Sequence, residues 1–182
     1  AGVYRFGQAN RMLRGAGRLF LGAERPLRAL PVRMWTGWFG ELLAPMVMGA
    51  DYAMYVLPFA GWVPGSVERD LIQERVRQGF DWISVEIWLE MAHWAKGAPF
   101  PYEVAFQQTD QPLLVIAGDK DKLLSPEEAK VCFEHSGSTD KTYRLYDKGK
   151  DGVHWGHLDL ILGQKAPEIV WPEIVSWMRE RL

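Results

Sequence analysis

The chain has 182 residues, 48% of them hydrophobic, which suffices for one domain with a sizeable core and excludes a disordered chain. A formal net charge of −2 gives no global reason to expect nucleic acid. The single cysteine, Cys132, excludes an intramolecular disulfide and makes a reducing, cytoplasmic setting the default.

Residues 1–33 hold seven arginines against Glu24 alone, over a weak helical pattern of Met12, Leu13, Leu19 and Phe20. Such a basic arm can meet an anionic surface, although a solvated face is the ordinary reading. Residues 34–65 are aromatic and turn-rich, and Pro58 and Pro64 exclude a long helix there. Residues 66–96 place Val67, Leu71, Ile72, Val76, Phe80, Ile83, Ile87, Trp88 and Met91 near helical spacing. Gly79 is expected to split this stretch into two helices, and Gly97 to Pro101 ends it. No apolar run is long enough for a transmembrane helix.

The last third is cleaner. Leu113 to Ala117 is a continuous apolar run between Pro112 and Gly118, as expected of a strand buried on both faces of a parallel sheet. Ser125-Pro126-Glu127-Glu128 is a helix start: a capping serine, a proline suited to the first turn, and a glutamate that completes a capping box. That helix should run to about His135, with Cys132 in its core-facing part. Gly137 and Ser138 turn the chain, and Lys141 to Tyr146 reads as a second strand. Pro167 or Pro172 begins a final helix with Ile169, Val170, Ile174, Val175, Trp177 and Met178. Strand, helix, strand, helix is the order of an α/β fold with a parallel sheet.

Functional groups of open parallel sheets collect beyond the carboxyl ends of the strands. Asp119 and Asp121 lie just beyond the first strand, and His154 and His157 lie in the loop after the second. Neighbouring strands can bring such an aspartate and histidine together. The carboxylate then fixes the imidazole's tautomer and stabilises the imidazolium formed in proton transfer. No cluster has metal-ligand spacing, and phosphate-binding glycine loops are absent, so neither metal nor cofactor is expected.

The segment Gly118-Asp119-Lys120-Asp121 with Pro126 beyond it, followed by Gly156-His157-Leu158-Asp159 with Gly163 beyond it, resembles the acid and histidine loops of the α/β-hydrolase superfamily. Gly-His-Leu-Asp-Leu-Ile-Leu-Gly is similar to the histidine loop of esterase- and acid-lipase-like members. Ile174-Val175-Ser176-Trp177-Met178 resembles their terminal helix. The resembling stretch is 112–182, and Val3 to Leu13 looks like the chain just after the family's sixth strand. The resemblance implies the C-terminal portion of an α/β-hydrolase parallel sheet at 105–182, with a helical cap over 1–104. It also implies that Asp121 is the triad acid and His157 the triad base, with Asp119 a loop residue. His154 is the competitor for the base, or else a structural or cleft-lining residue. Asp159 reads as a local hydrogen-bonding residue.

One departure matters. The nucleophile elbow Gly-x-Ser-x-Gly is absent from the chain. In this superfamily the nucleophile precedes the acid and the acid precedes the histidine. The expected partner is therefore an upstream segment or companion chain that carries the serine and the oxyanion hole. Six of the nine tryptophans fall in the presumed cap. Trp35, Trp38, Trp62 and Trp88, with His154, are the candidate substrate-binding residues for a hydrophobic small molecule. Packing between helices is the plainer reading of each ring. The strip Tyr55 to Pro64 could meet a lipid interface peripherally. The expected function is hydrolysis of carboxylic esters of lipid-like substrates. The same triad could serve acyl transfer, thioester or peptide cleavage. The alternative is a non-catalytic ligand-binding or assembly subunit of the same fold.

Overall fold

The computed structural model describes residues 11–28, 33–35, 52, 55, 61–78, 82–99 and 101–182. In chain order these form α1 (Arg11–Gly22), α2 (Glu24–Arg28), β1 (Arg33–Trp35), α3 (Arg69–Gln78), β2 (Trp82–Ser84), α4 (Val85–Ala95), α5 (Glu103–Gln107) and β3 (Leu113–Gly118). There follow α6 (Pro126–His135), β4 (Lys141–Tyr146), α7 (Lys148–Asp151), α8 (Asp159–Leu162) and α9 (Ala166–Arg179). The result is a mixture of helix and strand. Among the described residues no helix is long and apolar enough to cross a membrane.

β3 and β4 pair in parallel, from Leu113 opposite Lys141 to Gly118 opposite Tyr146. The two strands and the helix between them are those read from the sequence. Ser125 caps α6 as expected: its hydroxyl accepts from the Glu128 N–H at 3.3 Å, and the Glu128 carboxylate accepts from the Ser125 N–H at 3.0 Å. α6 packs on β3 and β4, with Ala117, Leu124 and Ala129 buried between them. On another side, Tyr146, Trp155, Leu160, Ala166 and Val170 form a buried cluster that seats α8 and α9.

Three expectations need correction. Trp82-Ile83-Ser84 is not helical; it is β2, antiparallel to β1 with Met34 opposite Ile83. The helix begins only after Ser84, whose hydroxyl accepts from the Glu86 N–H at 3.2 Å. Of the two starts expected for the final helix, Pro167 holds and Pro172 does not: the helix begins at Ala166 with Pro167 in its first turn and runs through Pro172. Pro172 has no N–H for the Glu168 carbonyl, but both residues are exposed, so water can take that place. Cys132 is half-buried rather than core. Burial still pushes its thiol pKa up, which disfavours the nucleophilic thiolate.

Candidate functional site

The acid loop leaves the sheet where β3 stops. Its first residue remains tied to β4, because the Asp119 N–H donates to the Tyr146 carbonyl at 3.0 Å. The Asp121 N–H then folds back onto the Gly118 carbonyl at 3.1 Å, which makes a tight turn. This turn places the Asp121 side chain inside the protein, 8% exposed. Oδ1 accepts from the Leu123 and Leu124 N–H groups at 2.9 and 2.8 Å. Oδ2 lies 2.7 Å from His157 Nδ1. With one oxygen fixed by two backbone donors, the other is aimed at the imidazole. The ring donates from Nδ1 and keeps Nε2 for exchange with a reacting group. The His157 side chain is 22% exposed, enough for such a group to reach it.

A second pair stands beside the first. Asp119 Oδ2 lies 2.5 Å from His154 Nδ1, and Oδ1 accepts from the Trp155 N–H at 2.9 Å. Asp119 is thus more than the loop residue that the sequence suggested. The Lys120 N–H also donates to the Trp155 carbonyl at 2.8 Å, so the acid and histidine loops are joined by backbone as well as side chains. Trp155 is 1% exposed, and its indole N–H donates to Asp151 at 3.1 Å.

Asp159 is the third buried carboxyl, 1% exposed. It faces a segment far away in sequence. Oδ2 accepts from the Gly156 N–H at 2.5 Å and the Val63 N–H at 2.9 Å, and Oδ1 lies 2.5 Å from Ser66 Oγ. The Leu158 N–H donates to the Gly61 carbonyl at 2.5 Å, and the Gln164 N–H to the Ser66 carbonyl at 2.9 Å. Residues 61–66 therefore lie as a strap along the histidine loop. Burial raises the Asp159 pKa; hydrogen bonds oppose the rise, and the nearby Asp121 charge adds to it.

Gly65, Ser66, Val153, His154, Trp155 and Asp159 line part of a cleft of about 190 Å³ between strap and loop. His154 thus sits in a cleft, as expected of it. Trp62 is 5% exposed and packs with Val67 and Ile72 against Tyr55, Leu71 and Leu158. It supports the residue that follows His157. Trp35 falls in β1 and Trp88 in α4, but their side chains, and all of Trp38, lie outside the described residues.

Sequence reasoning did not single out Ser66 or Tyr55. Lys122 Nζ stands 3.8 Å over the Tyr55 ring. Burial first, then the Asp119 charge, raise the Tyr55 pKa, and Asp159 also lies near the phenol. No signal in the sequence joins Tyr55 or Ser66 to residues some hundred positions away. Among the described residues no group of three or more His, Cys, Asp or Glu could hold a metal ion.

No family model matches this chain, and no curated protein or solved structure matches it either.

Proposed function

We propose that this chain is the closing part of a capped serine hydrolase of the α/β-hydrolase type, cleaving carboxylic esters of hydrophobic, lipid-like substrates. The observation that carries the reading is the Asp121–His157 pair, with a buried carboxylate at 2.7 Å from Nδ1 and a partly exposed ring, beyond adjacent parallel strands. An upstream segment or companion chain supplies the serine and the oxyanion donors. His157 Nε2 takes the serine proton as Oγ bonds to the carbonyl carbon, and returns it to the leaving alcohol as the ester C–O bond breaks. Water, activated in the same way, then releases the acid and restores the serine. Asp121 holds the ring and stabilises its charged form in each half.

Two further features support this reading. β3 is apolar along its whole length and, among the described residues, pairs only with β4. Parallel strands of that kind are ordinarily flanked on both edges, which leaves a place for strands of the part bearing the serine. The aromatic region ahead of the strap suits a cap that shields an apolar substrate from water, with residues 1–104 as cap and 105–182 as core. Trp35, Trp38 and Trp88, with His154, are the substrate-side candidates in this reading, whereas Trp62, expected among them, is 5% exposed and packs in the core beneath the histidine loop. A cytoplasmic setting rests on the lone Cys132.

The absence of a nucleophile elbow favours one rival, a non-catalytic binding subunit of the same fold. A fluorophosphonate probe separates the two. The whole protein should label covalently, and His157→Ala should abolish the labelling. A whole protein with an intact elbow that never labels overturns the enzyme reading.

A further inference from the structure

Ser66 Oγ lies 2.5 Å from the Val63 carbonyl and 2.5 Å from Asp159 Oδ1. A hydroxyl has one proton, and here it faces two acceptors. Were Asp159 ionised, one of those contacts would set lone pair against lone pair at a carboxyl that is 1% exposed. One added proton, on Oδ1, resolves the set. Oδ1–H then donates to Ser66 Oγ, and Ser66 donates to the Val63 carbonyl. Oδ2 still accepts from Gly156 and Val63. Four hydrogens then serve four bonds.

We propose that Asp159 is a positioning residue for His157, and that it acts as a neutral carboxylic acid latching the 61–66 strap to the histidine loop. Burial, the largest effect, favours a retained proton; the hydrogen bonds from Ser66, Val63 and Gly156 oppose it, and the Asp121 charge adds to it. Tyr55 brings no positive charge, and the Lys122 ammonium nearby stands over the Tyr55 ring. His154 and Lys165 lie across the cleft, each already facing a carboxylate of its own, Asp119 and Glu168.

The latch acts on both peptide neighbours of His157. The Gly156 N–H is bound by Asp159 and the Leu158 N–H by Gly61 of the strap. A Cβ on Gly156 would stand 2.8 Å from Asp159 Oδ2 and 3.0 Å from the Gly61 carbonyl oxygen, so only glycine allows this closeness. The backbone carrying the imidazole is thereby held from the cap side, while Asp121 holds the ring from the sheet side. The catalytic meaning of this arrangement rests on the proposed hydrolase reading; the positioning itself does not.

The test uses the whole protein labelled with ¹⁵N in histidine, glycine and leucine. Asp159→Asn replaces a neutral acid with a neutral amide of the same shape, whose N–H can donate to Ser66 while its oxygen accepts from Gly156 and Val63. It should keep the melting temperature within about 2 °C, slow exchange at the Gly156 and Leu158 amides, and the low-field Nδ1–H resonance of His157. Asp159→Ala should speed exchange at both amides by about tenfold or more and broaden the His157 resonance. If Asp159→Asn loses as much as Asp159→Ala, the neutral form is wrong. If a folded Asp159→Ala leaves the amides and the His157 resonance unchanged, the positioning role is wrong. Should Asp159→Ala not fold, Ser66→Ala replaces it: faster exchange at Gly156 supports the latch, and unchanged exchange overturns it. A protein that never labels with fluorophosphonate, yet shows these shifts, would refute the hydrolase reading and leave the latch standing.

Discussion

Asp119 and His154 form a second carboxylate–imidazole pair, Oδ2 to Nδ1 at 2.5 Å, one step outside the Asp121–His157 pair. Two aspartates two residues apart thus meet two histidines three residues apart. The outer pair also holds the Trp155 N–H.

Removing the outer carboxylate should therefore loosen the loop that carries the inner histidine. Asp119→Ala leaves the Trp155 N–H without its acceptor beside a side chain that is 1% exposed. The expected loss is about 1–3 kcal/mol, the cost of an unsatisfied buried donor. Urea unfolding of the variant measures it, and an unchanged midpoint would show that the loop does not depend on this pair.

Gly118 closes β3 directly against the backbone of Trp155. A Cβ there would stand 2.8 Å from the Trp155 carbonyl carbon, which is main chain and cannot swing aside. Gly118→Ala should cost about 1–3 kcal/mol, as overpacking does. It should also disturb the Lys120 N–H bond to the Trp155 carbonyl. Thermal unfolding, together with exchange at the Lys120 amide, checks both effects.

Acid should act on the tie between the chain end and the turn before β4. Arg181 donates from Nε and Nη2 to the two oxygens of Asp140, each at 2.8 Å. These hydrogen bonds hold the Asp140 carboxyl below its ordinary 3.8; burial opposes them less strongly, and the Arg181 charge adds a lesser lowering. A depressed folded-state pKa means that the contribution is present above 3.8 and is lost as pH falls through the folded value. Arg181→Gln should lower stability at neutral pH, modestly for a pair whose carboxylate is half exposed, and the gap should narrow in acid to what the Arg181 contacts with Trp177 contribute. Urea midpoints from about pH 2 to pH 6 test this; a constant gap over that range would contradict it.

Among the described residues β3 pairs only with β4, which predicts association. This chain expressed by itself should form oligomers or aggregate through that strand edge. Size-exclusion chromatography with light scattering is the check, and a monodisperse, cooperatively folding monomer would refute the need for a companion.

The parts legible in the sequence are those governed by neighbours along the chain. The apolar run 113–117, the Ser125 capping box and the strand at 141–146 each carry their own signal, and each forms where expected. Asp121 and His157 come together because both follow adjacent strands. Trp82-Ile83-Ser84 misled because its apolar residues continue the spacing of α4, whereas its pairing to 33–35 is a contact across nearly fifty residues. Pro172 misled because a proline inside a helix is tolerated where its lost bond faces water. Asp119 looked like a loop residue and Asp159 like a local hydrogen-bonding one. Their burial depends on His154 and on the strap at 61–66, which no spacing rule brings to them.

The paired aspartates and histidines also impose a vernier on chain length. Asp119 and Asp121 meet His154 and His157 at fixed offsets along two loops that run side by side. One residue inserted between the two aspartates, or between the two histidines, would leave one pair aligned and throw the other out. The same residue inserted in the turn at 136–140, outside both loops, would leave both offsets untouched. Insertions and deletions are therefore constrained far more sharply in two short windows, 119–121 and 154–157, than in the stretch that separates them.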